Sequence, residues 1–419
     1  MVVLVAVLAS SLGGCAGRAP AAPPSDAGGS PPSAVAASVG PVSRAETAAV
    51  TELLRRRAAA VVAGPEQEFA GTVADAPGSE GRRQLSSYRA ARALEVSRLT
   101  VGSVTLTRAA GRAELHAEAD VGYRVDDLDR GDRRVRLAYD VMLDRGRWAV
   151  ARERASGAGA TAPWVAMPTL QVRRGDGGVV AGTVPASRLE EHVRVLGTAM
   201  PGLWSQWQGA PRRVLVLAPA TAAEADALLG RPSGAPGEVA ATTEGPLGPD
   251  GRATGDRVVL DPAAYARLTP SGREVVLTHE LVHVAVRATV PGRPAAWLAE
   301  GYADHVAYAR ADVPASALLA PLAARVRSGD GPVELPLGRD FEPSEGDIEL
   351  PYLAAWQAVD LIAEQHGEAA VRRLVARGSS RGSDADAEAA TDRALETVLG
   401  TSRAQLTSSW LARLRDLAG

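Results

Sequence analysis

A chain of 419 residues is long enough for two or three domains. Its formal net charge of −3 gives no electrostatic reason to expect a nucleic-acid partner. All 46 basic residues are arginine, which with abundant Ala, Gly and Val reflects a GC-rich genome more than a phosphate-binding surface, and a single cysteine excludes an intramolecular disulfide.

Met1 to Leu12 is an apolar run too short to span a bilayer. It ends in Leu12-Gly13-Gly14-Cys15, which resembles a bacterial lipobox, a hydrophobic and two small residues before a cysteine. The resemblance implies that residues 1–15 are a lipoprotein signal, that Cys15 is lipidated and becomes the mature N-terminus, and that the chain is anchored at the outer, extracytoplasmic face of the cytoplasmic membrane. One departure is that no basic residue precedes the apolar run, as signal peptides normally have. Residues 16–42 are rich in Ala, Pro, Gly and Ser, too poor in large apolar groups to form a core, and are expected to be a disordered tether.

Residues 43–155 are expected to form a separate folding unit. Ser43-Arg44-Ala45-Glu46 is a capping-box pattern, and Val50, Leu53, Leu54 and Val61 follow at helical spacing until Gly64-Pro65 stops the helix. Leu115, Ala117, Ala119, Val121, Tyr123 and Val125 alternate with polar residues, as do Val135, Leu137, Tyr139, Val141 and Leu143, and the two runs read as an antiparallel hairpin. Asp144-Arg145-Gly146 then turns the chain into Trp148 and Val150. A helix followed by a curved antiparallel sheet resembles the NTF2-like cone fold. Such folds host enzymes and plain binding modules alike, so nothing catalytic follows from the resemblance. His116 and the Asp126-Asp127-Asp129 cluster are expected on a solvated strand and turn.

Residues 164–311 carry the chemistry. Arg213–Ala218 reads as a buried strand, Thr221-x-x-Glu224 as the cap of a helix, and Glu238–Thr242 and Asp256–Leu260 as further strands. Thr269-Pro270 starts a helix that is apolar nearly all round, through Val275, Val276, Leu277, Leu281, Val282, Val284 and Val286. That helix contains His279-Glu280-x-x-His283. Residues four apart share a helix face, so both histidines can reach one metal ion, with the Glu280 carboxylate beside them to accept a proton from water. A buried helix with two histidines and a glutamate must satisfy them, and a metal does so. The Thr289–Pro294 loop breaks the helix, and a second one from about Ala295 brings back Glu300, a third ligand of the His₂Glu type. Asp304, one turn on, can hold the far ring nitrogen of a ligand histidine. Residues 312–419 look helical apart from an acidic loop at Arg339–Leu350.

The pattern THELVH followed by WLAEGYAD resembles the gluzincin metallopeptidases, and within them the bacterial peptidase-MA-like proteins, from about Trp164 to the C-terminus. The resemblance implies an α+β fold, a sheet plus metal helix and then a helical part. It also implies one Zn²⁺ held by His279, His283 and Glu300, with Glu280 as general base and Asp304 orienting a ligand histidine. Zinc aminopeptidases grip the substrate amine through a G-x-M-E-N-type segment. This chain has no asparagine, so endopeptidase or carboxyl-side activity on a peptide or protein substrate is the expectation. In gluzincins the strand before the metal helix is the sheet edge along which extended substrate pairs, and Arg257–Leu260 occupies that place in sequence. A donor for the oxyanion is also needed. Related enzymes place a tyrosine on a helix well downstream of the glutamate ligand, which makes Tyr352 the first candidate, ahead of Tyr302 and His366. The alternative is a catalytically silent lipoprotein that uses both units to bind a ligand or partner.

Overall fold

The computed structural model describes residues 41–419 apart from 76, 109–111, 233, 235–238, 312 and 343–348. Cys15 and nearly all of the tether lie outside them. No helix among the described residues is long and apolar enough to cross a membrane.

The fold is α+β, with one antiparallel and one mixed sheet. The N-terminal unit opens with helices α1 (Arg44–Val62), α2 (Glu66–Ala70) and α3 (Ser79–Ala93). The Ser43–Glu46 capping box forms as expected, and Pro65 ends one helix by capping the next. Strands β1 (Val96–Arg108), β2 (Leu115–Val125), β3 (Arg133–Asp144) and β4 (Arg147–Ala155) then make a meander in the order β1-β2-β3-β4. The alternation in β2 is obeyed throughout: every odd-numbered residue from Leu115 to Val125 is buried. Arg145 and Gly146, at φ 51° and 77°, form a two-residue hairpin loop whose left-handed backbone matches the twist of the strands it joins. β1 is not evident in the sequence: beyond the buried Val96 its apolar residues are only half-buried, and Gly102 and Ser103 interrupt the alternation at a bulge.

After a short helix α4 (Pro163–Ala166) come strands β5 (Gln171–Gly175) and β6 (Gly178–Gly182), helix α5 (Ala186–Gln206) and strand β7 (Val214–Ala218). Helix α6 (Ala222–Leu229) with its Thr221–Glu224 capping box follows, then β8 (Ala241–Glu244), β9 (Arg257–Leu260) and α7 (Pro262–Ala266). The second sheet runs β5-β6-β7-β9-β8, with β6, β7 and β9 parallel and the two outer strands antiparallel. The expectation that Arg257–Leu260 is the sheet edge is therefore wrong. β7 pairs with one side of it and β8 with the other, so the strand is internal and the edge beside it is β8.

The strands of this sheet turn successive side chains to opposite faces. Val180, Val214, Val216, Val258 and Leu260 pack into a core shared with the helices that follow. Val179, Ala181, Leu215, Leu217 and Val259 pack instead with β2, β3 and α1 of the N-terminal unit and with Trp164 and Met167. Residues 43–155 thus do not close a core of their own: the mixed sheet is a middle layer covered on both faces, which is why its inner strands β6 and β7 are short unbroken apolar runs. The metal-helix candidate α8 (Pro270–Thr289) and its partner α9 (Ala296–Tyr308) lie on the far face. The rest is helical: α10 (Ala315–Leu318), α11 (Ala320–Ser328), α12 (Glu349–His366), α13 (Glu368–Arg377), α14 (Asp384–Ala394) and α15 (Arg403–Ala418).

Candidate metal centre

α8 begins where its sequence sets the boundary. The Thr269 hydroxyl accepts a hydrogen bond from the Gly272 N–H at 3.0 Å, and Pro270 occupies the first turn, where a missing N–H costs nothing. From Val275 to Val286 every residue is buried. His279 and His283, one turn apart, present their Nε2 atoms to the same point, 3.0 Å from each other. α9 crosses beside them and delivers Glu300, whose Oε2 lies 3.2 Å from Nε2 of His279 and 3.3 Å from Nε2 of His283.

Two imidazoles and a carboxylate converging in a buried space form a group that can hold a metal ion. The spacing fits one well. Ligand atoms about 2.0–2.1 Å from a tetrahedral ion lie roughly 3.3 Å apart. The nitrogens also fit in their chemistry. Nδ1 of His279 is 2.7 Å from Oδ1 of Asp304, so it donates there and leaves Nε2 as a bare lone pair facing the Nε2 of His283. Two such nitrogens repel unless a cation or a proton lies between them.

The electrostatics run the same way. Burial by itself disfavours a charged His279, but Asp304 and then Glu300 outweigh it and raise its pKa to about 10. Burial likewise opposes ionisation of Glu300, and His283 and His279 overcome that to hold it at about 2. The cluster is built to carry positive charge, either a proton on His279 or a metal in its place. Burial raises the pKa of Asp304, against the pull of His279.

Glu280 is fully buried on the side of α8 that meets β8. The Thr243 hydroxyl, on β8, donates to Oε2 of Glu280 at 2.5 Å, and Oε1 has no partner among the described residues. Burial raises the Glu280 pKa against the pull of His283, His279 and Thr243. A carboxylate of raised basicity with one oxygen held and the other free is suited to accepting a proton. Nothing in the sequence points to Thr243, because only the packing of β8 against α8 brings it there.

Tyr352, in the first turn of α12, has its ring centroid 6.3 Å from that of His279 and packs edge-on against Phe341 at 5.0 Å. Of the three candidates it is the one the fold brings to the cluster. Tyr302 instead packs at a tilt against Trp207, with ring centroids 5.7 Å apart. His366 is exposed at the other end of α12, roughly 20 Å along the helix from Tyr352. In the N-terminal unit, His116 forms a partly exposed cluster with Asp140 (3.1 Å) and Arg154, as a solvated strand face should. Asp126 and Asp127 are exposed, but the side chain of Asp129 is buried and ion-paired with Arg257 at 3.0 Å. That part of the solvated-turn expectation fails, since the turn is docked on the mixed sheet.

No family model matches this chain, and no curated protein matches it.

Proposed function

We propose that this protein is a zinc-dependent hydrolase of peptide bonds, with one Zn²⁺ held by His279, His283 and Glu300. The observation that carries the reading is the convergence of those three ligand atoms, with Asp304 behind one ligand and Glu280 directly beside the set. When bound, zinc supplies a Lewis acid that polarises a carbonyl and makes water acidic enough to attack at neutral pH. Glu280 accepts the proton of the attacking water through its free Oε1 and passes it to the leaving amine, while Thr243 fixes the carboxylate. Tyr352 is the donor to the developing oxyanion. An extended peptide pairs with β8, the sheet edge beside Glu280, so that main-chain bonds give register and side-chain pockets give preference. The likeness of the central motif to gluzincins, and of the N-terminal unit to NTF2-like folds, supports this assignment as a resemblance of pattern. The same reading takes Cys15 as the lipid anchor that holds the enzyme outside the cytoplasmic membrane.

The test is elemental analysis together with cleavage of a random peptide library by wild type and Glu280→Gln. Stoichiometric zinc in both and cleavage by wild type alone are expected. Wild type without stoichiometric zinc, or cleavage that Glu280→Gln retains, overturns the proposal.

A further inference from the structure

The end of the N-terminal sheet grips the loop and strands that bracket β8. Arg133, at the start of β3 and 6% exposed, donates through Nη2 to the Glu244 carboxylate and through Nη1 to the Gly255 carbonyl at 2.8 Å. Glu244 is the last residue of β8, and its cross-strand partner on β9 is Arg257. Arg257, 1% exposed, is itself claimed by the N-terminal unit: it donates to both Asp129 oxygens, at 3.0 and 3.3 Å, and to the Tyr123 hydroxyl at 2.9 Å. Arg130 adds main-chain anchors, with its guanidinium on the carbonyls of Ala253 and Ala288, both at 2.8 Å, and its own N–H on Thr254. Ala288 is in the last turn of the metal helix.

Side chains alternate along β8. Thr243 faces α8 and holds Glu280, while Glu244, the next residue, points to the opposite face and is held by Arg133. A four-residue edge strand with a partner on one side has few hydrogen bonds of its own to keep it in place. Buried charges with matched partners fix geometry more than they add stability, because desolvation cancels much of their attraction. Removing one partner is costly, since the other remains buried.

We infer that Arg133, with Asp129 acting through Arg257, is a positioning residue of the candidate active site: the N-terminal unit sets the place of β8, and thereby of Thr243 and Glu280. The inference rests on the hydrolase reading for its consequence in turnover, but not for its structural content. It makes the N-terminal unit part of the catalytic apparatus.

The experiment uses the full chain loaded with zinc, as wild type, Arg133→Met, Glu244→Gln and the exchanged pair Arg133→Glu with Glu244→Arg. Amide hydrogen exchange is read at residues 241–244 and, for comparison, in β6 and β7. Zinc content is measured alongside, with kcat on any peptide the wild type cleaves. Either single substitution is expected to speed exchange in β8 on the order of ten- to a hundredfold with β6 and β7 unchanged. Zinc stoichiometry is retained, kcat falls about tenfold or more as Glu280 loses its fixed place, and the exchanged pair recovers part of the protection. Unchanged exchange in β8 overturns the inference, and so does an equal rise in all three strands, which marks a general brace. If Arg133→Met does not fold, Glu244→Gln, which keeps the shape of the side chain, gives the same reading. Wild type that cleaves no peptide sinks the hydrolase proposal, while the exchange data still decide the clamp.

Discussion

Gly301 directly follows Glu300 of the candidate metal cluster, and the structure explains why a side chain is absent there. A Cβ built on Gly301 would lie 2.4 Å from the Ala355 carbonyl oxygen, 2.7 Å from its carbon and 2.8 Å from Cγ2 of Val359. Ordinary contact begins near 3.4 Å, so in Gly301→Ala helices α9 and α12 must part by about 1 Å. α9 is pinned to α8 by Asp304 on His279 and by Glu300 on both histidines, so α12 yields and carries Tyr352 outward. Two effects oppose each other in stability. Gly→Ala inside a helix gains about 1 kcal/mol of propensity, and overpacking costs roughly 1–3 kcal/mol. The net is a loss of about 0–2 kcal/mol. Function is more sensitive, because a displacement of about 1 Å at a reacting group costs on the order of a hundredfold in rate. Urea denaturation, zinc content and peptide turnover of Gly301→Ala therefore form one assay set. We expect a small loss of stability, zinc retained, and turnover down about a hundredfold. If the variant is more stable by the full 1 kcal/mol or so that propensity alone supplies, and turns over like wild type, the close approach at Ala355 does not constrain the site and the reasoning fails.

Asp304→Ala removes the acceptor of the His279 Nδ1–H and should weaken zinc binding by about 10–100-fold in a chelator competition; an unchanged Kd refutes its orienting role. Tyr352→Phe should lower kcat by roughly 100–1,000-fold at full zinc occupancy, and wild-type kcat would remove the tyrosine from the reaction. His192, packed against Tyr265 and outside the candidate metal cluster, gives a pH prediction. Burial lowers its pKa to about 4, with Arg273 and Arg188 adding to the effect against Glu191. The folded pKa lies below the unfolded value of 6.5, so its neutral form contributes stability that is present above pH 6.5 and lost as pH falls through 4. The full shift corresponds to about 3 kcal/mol. In His192→Phe the fall in unfolding free energy between those pH values should flatten; an acid limb identical to wild type would show that another group carries it.

What could be read from the sequence follows how far each signal reaches along the chain. The start of α8 at Thr269-Pro270, the shared face of His279 and His283, and the alternation in β2 are encoded by residues within a few positions of one another. Local geometry delivers them wherever the element is packed. The return of Glu300 and Asp304 needed one tight loop, and was still legible. The order of strands is a different kind of fact, since nothing within Arg257–Leu260 says which strand lies beside it. Even so, its composition held a clue that pointed against the edge. Three consecutive apolar residues, Val258 to Leu260, are the mark of a strand covered on both faces, whereas Ala241-Thr242-Thr243-Glu244 has the more polar character of an edge. Arg257 sharpens the point. A guanidinium in a fully buried strand demands a buried carboxylate, and the chain offers 49 acidic residues without marking which one answers. The answer is Asp129, in a turn that reads as solvated because its local sequence is polar. The demand was visible at Arg257 and its partner was not, because pairing across 128 residues is decided by the docking of two sheets. For this fold the legible part is the candidate metal cluster, and the part that only the assembled layers reveal is the set of buried ion pairs, Arg133 with Glu244 and Arg257 with Asp129, behind the edge strand.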